Sequence, residues 1–307
     1  MTARAAVVAL ALASSLESFG AQPPPATFRA ETRLVVLHAD VKTRRGAEVP
    51  DLDERAFRVY ENGKIQPIRL FRRDDIPVSL GLLIDNSGSM RTLRERVEAA
   101  ALAFVRASNP LDEVFVLNFA DKPRIDVPLT HDMRTLEAGI ARVDSIGGTA
   151  LRDAVAAAHA YLGERAAHDR RVLLVVTDGR DNASTATLDD VQRAAERTDT
   201  AVYAIGLFRD PGSADAKDGR HELDRLTAHT GGAAYYPTTP DDLDAIVGDL
   251  ARQIRNQYTI AYAPTNQTLD GTYRRIRVEA RGAEPLVVRT RAGYVAAGAA
   301  PQGRSPR

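Results

Sequence analysis

The chain has 307 residues, in which 41 Lys+Arg balance 41 Asp+Glu, and it has no cysteine. Balanced charge gives no global attraction to nucleic acid. The missing thiol removes disulfides, thiolate metal ligands, a cysteine nucleophile and a lipoprotein anchor. The length allows one large core, or one core with a small second domain.

In chain order, Arg4 precedes an uncharged, mostly apolar run at 5–16, followed by small residues at Ser18, Gly20 and Ala21. This is the order of a secretory signal, expected over 1–21 and too short to span a bilayer comfortably. The protein is therefore expected to be exported, to the periplasm or beyond the cell, with no transmembrane segment once the signal is removed. Residues 27–76 read as a β segment. Leu34 to Leu37 runs on to Val41, and Phe57 and Val59 alternate before Asn62-Gly63, the favoured dipeptide of a two-residue hairpin turn. Pro67 in the returning strand points to a sheet edge.

Over 77–256 the rhythm becomes strand, loop, helix. Buried strands are expected at 78–84, 114–119, 172–177 and 201–207, with a short edge strand at 124–129 and a small one at 233–236. Helical spacing joins Leu93, Val97, Phe104 and Val105; Leu136, Ile140 and Val143; and Leu151, Val155 and Leu162. Further helices are expected at 188–197, around 221–230, and at 241–256 behind the cap Thr239-Pro240-Asp241-Asp242. This alternation implies an α/β fold, a doubly wound and mostly parallel sheet with helices on both faces. Residues 257–295 return to β, with Tyr258, Ile260 and Tyr262 alternating, a turn at Asp270-Gly271, and strands around Ile276 to Val278 and Leu286 to Val288. Each flanking segment is too small to hold a core alone, so the two are expected to pair as one discontinuous β subdomain. The Ala/Gly/Pro-rich tail at 296–307 is expected to be disordered.

The chemistry concentrates at Asp85-Asn86-Ser87-Gly88-Ser89, directly after the first buried strand. Ligands of an open parallel sheet gather outside the carboxyl ends of its strands. One acid and two serines at alternate positions of a tight loop put three hard oxygens on one side. Thr149, in Gly147-Gly148-Thr149 before a helix, and Asp178, in Thr177-Asp178-Gly179 after a strand, should arrive at the same edge. Two carboxylates and three hydroxyls suit a hard cation, Mg²⁺ or Mn²⁺. With few charged protein ligands, such a cation stays electron-poor and can accept a carboxylate from a partner.

Asp85-x-Ser87-x-Ser89, Thr149 and Asp178 together resemble the metal-ion-dependent adhesion site of von Willebrand factor A domains, over roughly residues 77–256. Gln257-Tyr258 and Arg291-Ala292-Gly293-Tyr294 further resemble exported bacterial proteins of that group. The resemblance implies that Ser87 and Ser89 contact the metal directly, that Asp85 orients waters and hydroxyls, and that Thr149 and Asp178 respond to occupancy. It also implies a protein partner presenting Asp or Glu, and no catalysis. A metal-assisted hydrolase and an envelope scaffold with a silent site are the alternatives; for the first, only Asp144, Asp153 and Asp181 offer a base, and all three read better as solvated loop acids. His38, His131, His159 and His168 are scattered and read as structural. Arg72-Arg73 and Arg274-Arg275 read as solvated strand edges, so no nucleic-acid partner is expected.

Overall fold

The computed structural model describes residues 33–142 and 146–297. The expected signal at 1–21, Val143 and Asp144, and residues 298–307 lie outside that range. The chain begins with four strands, β1 (Val35–Thr43), β2 (Phe57–Glu61), β3 (Lys64–Gln66) and β4 (Ile68–Arg72). Asn62 and Gly63 both take positive φ, 47° and 80°, as the β2–β3 hairpin turn requires. Pro67 then does more than mark an edge. It divides the returning segment, so that β3 pairs with β2 in one sheet while β4 joins another.

The α/β part follows: β5 (Ser79–Asp85), α1 (Arg94–Ala107), β6 (Glu113–Phe119), β7 (Pro123–Thr130), α2 (Met133–Ile140), α3 (Leu151–Arg165), β8 (Arg171–Thr177), α4 (Leu188–Thr198), β9 (Thr200–Gly206), α5 (Ala214–Ala228), β10 (Ala234–Tyr235) and α6 (Pro240–Arg255). The sheet order is β10-β9-β8-β5-β6-β7, parallel throughout except for the antiparallel edge strand β7. Every residue of β5 and β6 is buried, as strands covered on both faces must be. Alternate side chains sort into two cores. Leu80, Leu82 and Ile84 face α1 and α6 through Val97, Phe104, Val247 and Ile254. Leu83, Leu117 and Phe119 face α3 to α5 through Leu151, Val155, Val191 and Leu223. Burial of each such Leu, Ile, Val or Phe contributes roughly 1.5–3 kcal/mol. Gly81 lies where a Cβ would stand 2.5 Å from both Phe115 and Leu173, so the core closes over bare backbone.

Helix α5 begins at Ala214, seven residues before the expected start, because Ser213 caps it by accepting from the Ala216 N–H. Its first two turns are mostly polar and gave no apolar period to read. Helices α4 and α6 both open with capping boxes, Thr187 with Asp190 and Thr239 with Asp242.

Four strands close the described chain: β11 (Tyr258–Tyr262), β12 (Tyr273–Ala280), β13 (Leu286–Arg289) and β14 (Gly293–Val295). They interleave with the first four in two antiparallel sheets, β13-β1-β11-β4 and β14-β12-β2-β3. These share a core of Val35, Leu37, Phe57, Val59, Ile260 and Ile276, among others. Strand β11 does not alternate as expected. All five residues are buried, since its second face, at Thr259 and Ala261, is covered as well. Strand β14 was not anticipated. Ala296, where disorder was expected to begin, is buried and exchanges backbone hydrogen bonds with the turn at Gly271 and Thr272.

The two parts meet through buried polar groups. Gln253 of α6 donates to Asp40 of β1 at 2.9 Å and accepts from Lys42 at 2.9 Å and from the Tyr235 hydroxyl at 3.0 Å. Arg170 donates to Gln257 at 2.6 Å, which in turn donates to the Tyr203 hydroxyl at 3.0 Å. Among the described residues, no helix is long and apolar enough to cross a membrane.

Candidate metal centre

The carboxyl ends of β5, β6, β8 and β9 open at one edge of the sheet, and the loops that leave them carry polar side chains. Asp85, the last residue of β5, is buried. Its Oδ1 accepts from the Ser87 N–H at 2.8 Å and its Oδ2 from the Thr177 hydroxyl at 2.6 Å. The first bond folds the chain back so that Ser87 Oγ lies 3.0 Å from Ser89 Oγ. Ser89 then donates to Asp178 Oδ1 at 2.7 Å. Four of the five expected residues thus form one hydrogen-bonded row, from buried Asp85 through Ser87 and exposed Ser89 to Asp178.

Thr149 joins from the α3 side. It is buried, and its hydroxyl stands 3.7 Å from the position a Cβ on Gly179, beside Asp178, would occupy. Two clamps hold its loop. Thr149 N–H donates to Asn182 Oδ1 at 2.8 Å while its carbonyl accepts from the Asn182 N–H at 3.0 Å, and Gly88 N–H donates to the Gly147 carbonyl at 3.4 Å. The Gly-Gly pair is needed for this approach. Gly147 has φ of 105°, and a Cβ there would meet the Asp121 carboxylate at 2.4 Å.

Electrostatics follow from burial. Burial pushes Asp85 up to about 6, against the hydrogen bonds from Thr177 and Ser87, with Asp178 adding to the rise. Burial raises Asp178 too, opposed by the Ser89 hydroxyl and by Arg209. The row therefore concentrates negative charge in a dry place, a setting a cation would relieve. Among the described residues, no three His, Cys, Asp or Glu side chains cluster as a metal site. Any ion here would depend on hydroxyls and water as much as on acids.

Several participants escaped the sequence reading. Asp121 accepts from the Gly148 N–H at 2.6 Å. Arg209 donates to the Ser89 carbonyl and, at 2.7 Å, to Thr92 Oγ1. Arg94, almost buried, donates to Asn86 Oδ1 at 2.6 Å. Asp121 and Arg209 follow the ends of β6 and β9, where the strand-end rule would have found them. Asp181 and Asp153 were expected to be solvated, and both instead bind backbone. Asp181 accepts from the Arg152 and Ser184 N–H groups at 2.8 and 3.1 Å; Asp153 accepts from those of Thr185 and Ala186 at 3.0 and 2.8 Å. They tie the loop after β8 to the first turn of α3, whose start has no side-chain cap of its own. A cleft of about 250 Å³ opens beside Ser89 and Asp178, lined also by Phe208, Arg209, Ser213 and Ala216.

The fold and these loops define a doubly wound α/β protein with an oxygen-rich cluster at the strand ends. Residues 80–180 match the family model of the von Willebrand factor type A domain. The match spans a third of the chain and includes Asp85, Ser87, Ser89, Thr149 and Asp178. Among similar solved structures is the vWF domain of the type V pili tip protein Mfa5 from Porphyromonas gingivalis. It is 13% identical, with 59% of this chain and 95% of that one covered and a TM-score of 0.48. A von Willebrand factor type A protein from Catenulispora acidiphila is 15% identical, with 85% and 73% covered and a TM-score of 0.48. The conserved hypothetical protein BatB from Bacteroides thetaiotaomicron is 17% identical, with 57% and 98% covered and a TM-score of 0.43. No curated protein sequence matches the chain.

Proposed function

We propose that the protein is an exported binding module that holds one divalent cation, Mg²⁺ or Mn²⁺, in the Asp85 loop cluster and docks a partner protein through an Asp or Glu carboxylate. One observation carries this reading. The oxygens of Ser87, Ser89 and Asp178 stand 3.0 and 2.7 Å apart in sequence. A metal–oxygen distance of about 2.1 Å in an octahedron requires adjacent ligands about 3.0 Å apart. The spacing thus fits neighbouring vertices around one small hard ion. Ser87 and Ser89 would hold it directly, with Asp178 and Thr149 beside them and Asp85 accepting from behind.

When bound, the cation supplies a positive centre able to take a carboxylate oxygen. The chain's own residues do the rest. Asp85 fixes the Ser87 turn, Thr177 holds Asp85, and Arg209 fastens the Ser89 backbone. Exposed Ser89 leaves the outer side open to solvent and to a partner. Binding is favoured over hydrolysis because Asp153 and Asp181, two of the three acids that could offer a base on the sequence reading, are spent on backbone N–H groups, and the third, Asp144, lies outside the described residues. Retention of an envelope partner on the immobilised protein should need Mg²⁺, and should be lost with chelator or in Asp85→Ala. Retention unchanged by both treatments would overturn the proposal.

A further inference from the structure

Arg94, the first residue of α1, is only 6% exposed, yet no carboxylate pairs with it among the described residues. Glu98 and Asp126 attract it only through space, and Asp126 is already paired with Arg124 and Arg142. Burying a guanidinium without a carboxylate is costly, so its other contacts call for an explanation. Three acceptors hold it. Nη2 donates to the Arg142 carbonyl at 2.7 Å and to the Ile140 carbonyl, and Nη1 donates to Asn86 Oδ1 at 2.6 Å. The two carbonyls lie at the end of α2, whose last turn has no basic residue of its own. A cation there satisfies orphan carbonyls and the negative end of the helix. That accounts for Nη2 and leaves Nη1 unexplained.

Asn86 stands between Asp85 and Ser87 and is 2% exposed. Its N–H donates to the Phe119 carbonyl at 2.6 Å, and its Nδ2 donates to the Arg142 carbonyl at 3.3 Å. Arg94, Asn86 and the Arg142 carbonyl therefore form a closed triangle, each bonded to the other two. From Arg142 the chain leaves α2 toward Gly147-Gly148-Thr149, and the Gly147 carbonyl accepts from the Gly88 N–H at 3.4 Å. The serine loop and the segment leading to Thr149 are thus joined at two points, the triangle and the Gly88–Gly147 bond. The triangle needs a planar fork, one nitrogen for Asn86 and the other for two carbonyls, which a lysine ammonium does not supply. Charge alone is a poor reason for Arg94, because a fixed cation near a cation site opposes its occupant. Its contribution to the loops is geometric.

We infer that Arg94 is a positioning residue of the candidate metal centre, locking Asn86, and with it the turn that carries Ser87 and Ser89, to the segment that leads to Thr149. The inference rests on the metal-binding reading above. The lock holds the hydroxyls at one spacing before a cation arrives. The test titrates the full chain with Mn²⁺ alone, free Mn²⁺ being followed by electron paramagnetic resonance, and melting in chelator verifies that each variant folds. Arg94→Met should bind about tenfold more weakly than the parent, although charge alone would make it bind more tightly. Arg94→Lys keeps the charge and should not restore the parent's affinity. Asn86→Ala should lose a similar factor, and the double variant no more than the larger single loss, since both changes break one triangle. Leu162→Val, a core change in the last turn of α3, should bind as the parent does. Equal or tighter binding by Arg94→Met, full rescue by Arg94→Lys, losses that multiply in the double variant, or the same loss in Leu162→Val would each overturn the inference. Should Arg94→Met fail to melt cooperatively, Asn86→Ala decides, and parental affinity there overturns it. A parent that takes up no Mn²⁺ removes the metal reading itself, whereas a parent that binds beside unaffected variants removes only the role of Arg94.

Discussion

Replacing Asp85 with Asn separates the cost of its buried charge from the use of that charge. The folded carboxyl, pushed up to about 6, is harder to ionise than an unfolded one at 3.8. The folded state therefore holds the extra proton between those values. The resulting stabilisation is complete below about pH 3.8 and is lost as pH rises through 6. At pH 8 without metal, the ionised group costs on the order of 3 kcal/mol, at 1.36 kcal/mol per unit. Asn removes that charge with little steric change. Its Oδ1 can still accept from Ser87 N–H, and the Thr177 hydroxyl has the Gly179 carbonyl at 3.3 Å as a second acceptor. In chelator at pH 8, Asp85→Asn should melt about 6–12 °C above the parent protein. The gap should close toward pH 4. Added Mg²⁺ should raise the parent's melting temperature and leave the variant's unchanged. A variant less stable than its parent in chelator at pH 8 would refute the reasoning.

Gly81→Ala forces a methyl against Phe115 and Leu173 and should cost about 1–3 kcal/mol in urea unfolding; a neutral result would mean the core is looser than described. Thr239→Ala breaks the α6 capping box and should cost about 1 kcal/mol by the same assay, with Thr239→Ser restoring most of it. His159 is held down to about 4 by burial, and His38 to about 3 by burial with help from Arg170. Both favour the neutral ring in the folded state, so in the Asp85→Asn background stability should fall as pH drops from about 6.5 toward 4. An NMR titration showing His159 half-protonated near pH 6.5 would contradict this.

What the sequence disclosed depended on how local its cause was. Continuous apolar runs such as 79–85 and caps such as Thr239 act over a few residues, and they gave strand types and helix starts directly. The Asp85 to Ser89 loop was readable because its hydroxyls and acid sit on one short turn. The helix start at Ala214 and the second face of β11 were not, because a polar first turn and packing against a distant element leave no periodic mark. Asp153 and Asp181 looked solvated in sequence, yet their partners are backbone N–H groups about thirty residues away. Arg209 and Asp121 reach the cluster only through the parallel order of the strands.

The most direct test is a crystal of the full chain grown with Mn²⁺ and examined by anomalous scattering. One peak should stand about 2.1–2.2 Å from both Ser87 Oγ and Ser89 Oγ, with Asp178 and Thr149 adjacent. A map with no peak between those hydroxyls, or with its only peak elsewhere on the protein, would contradict the account.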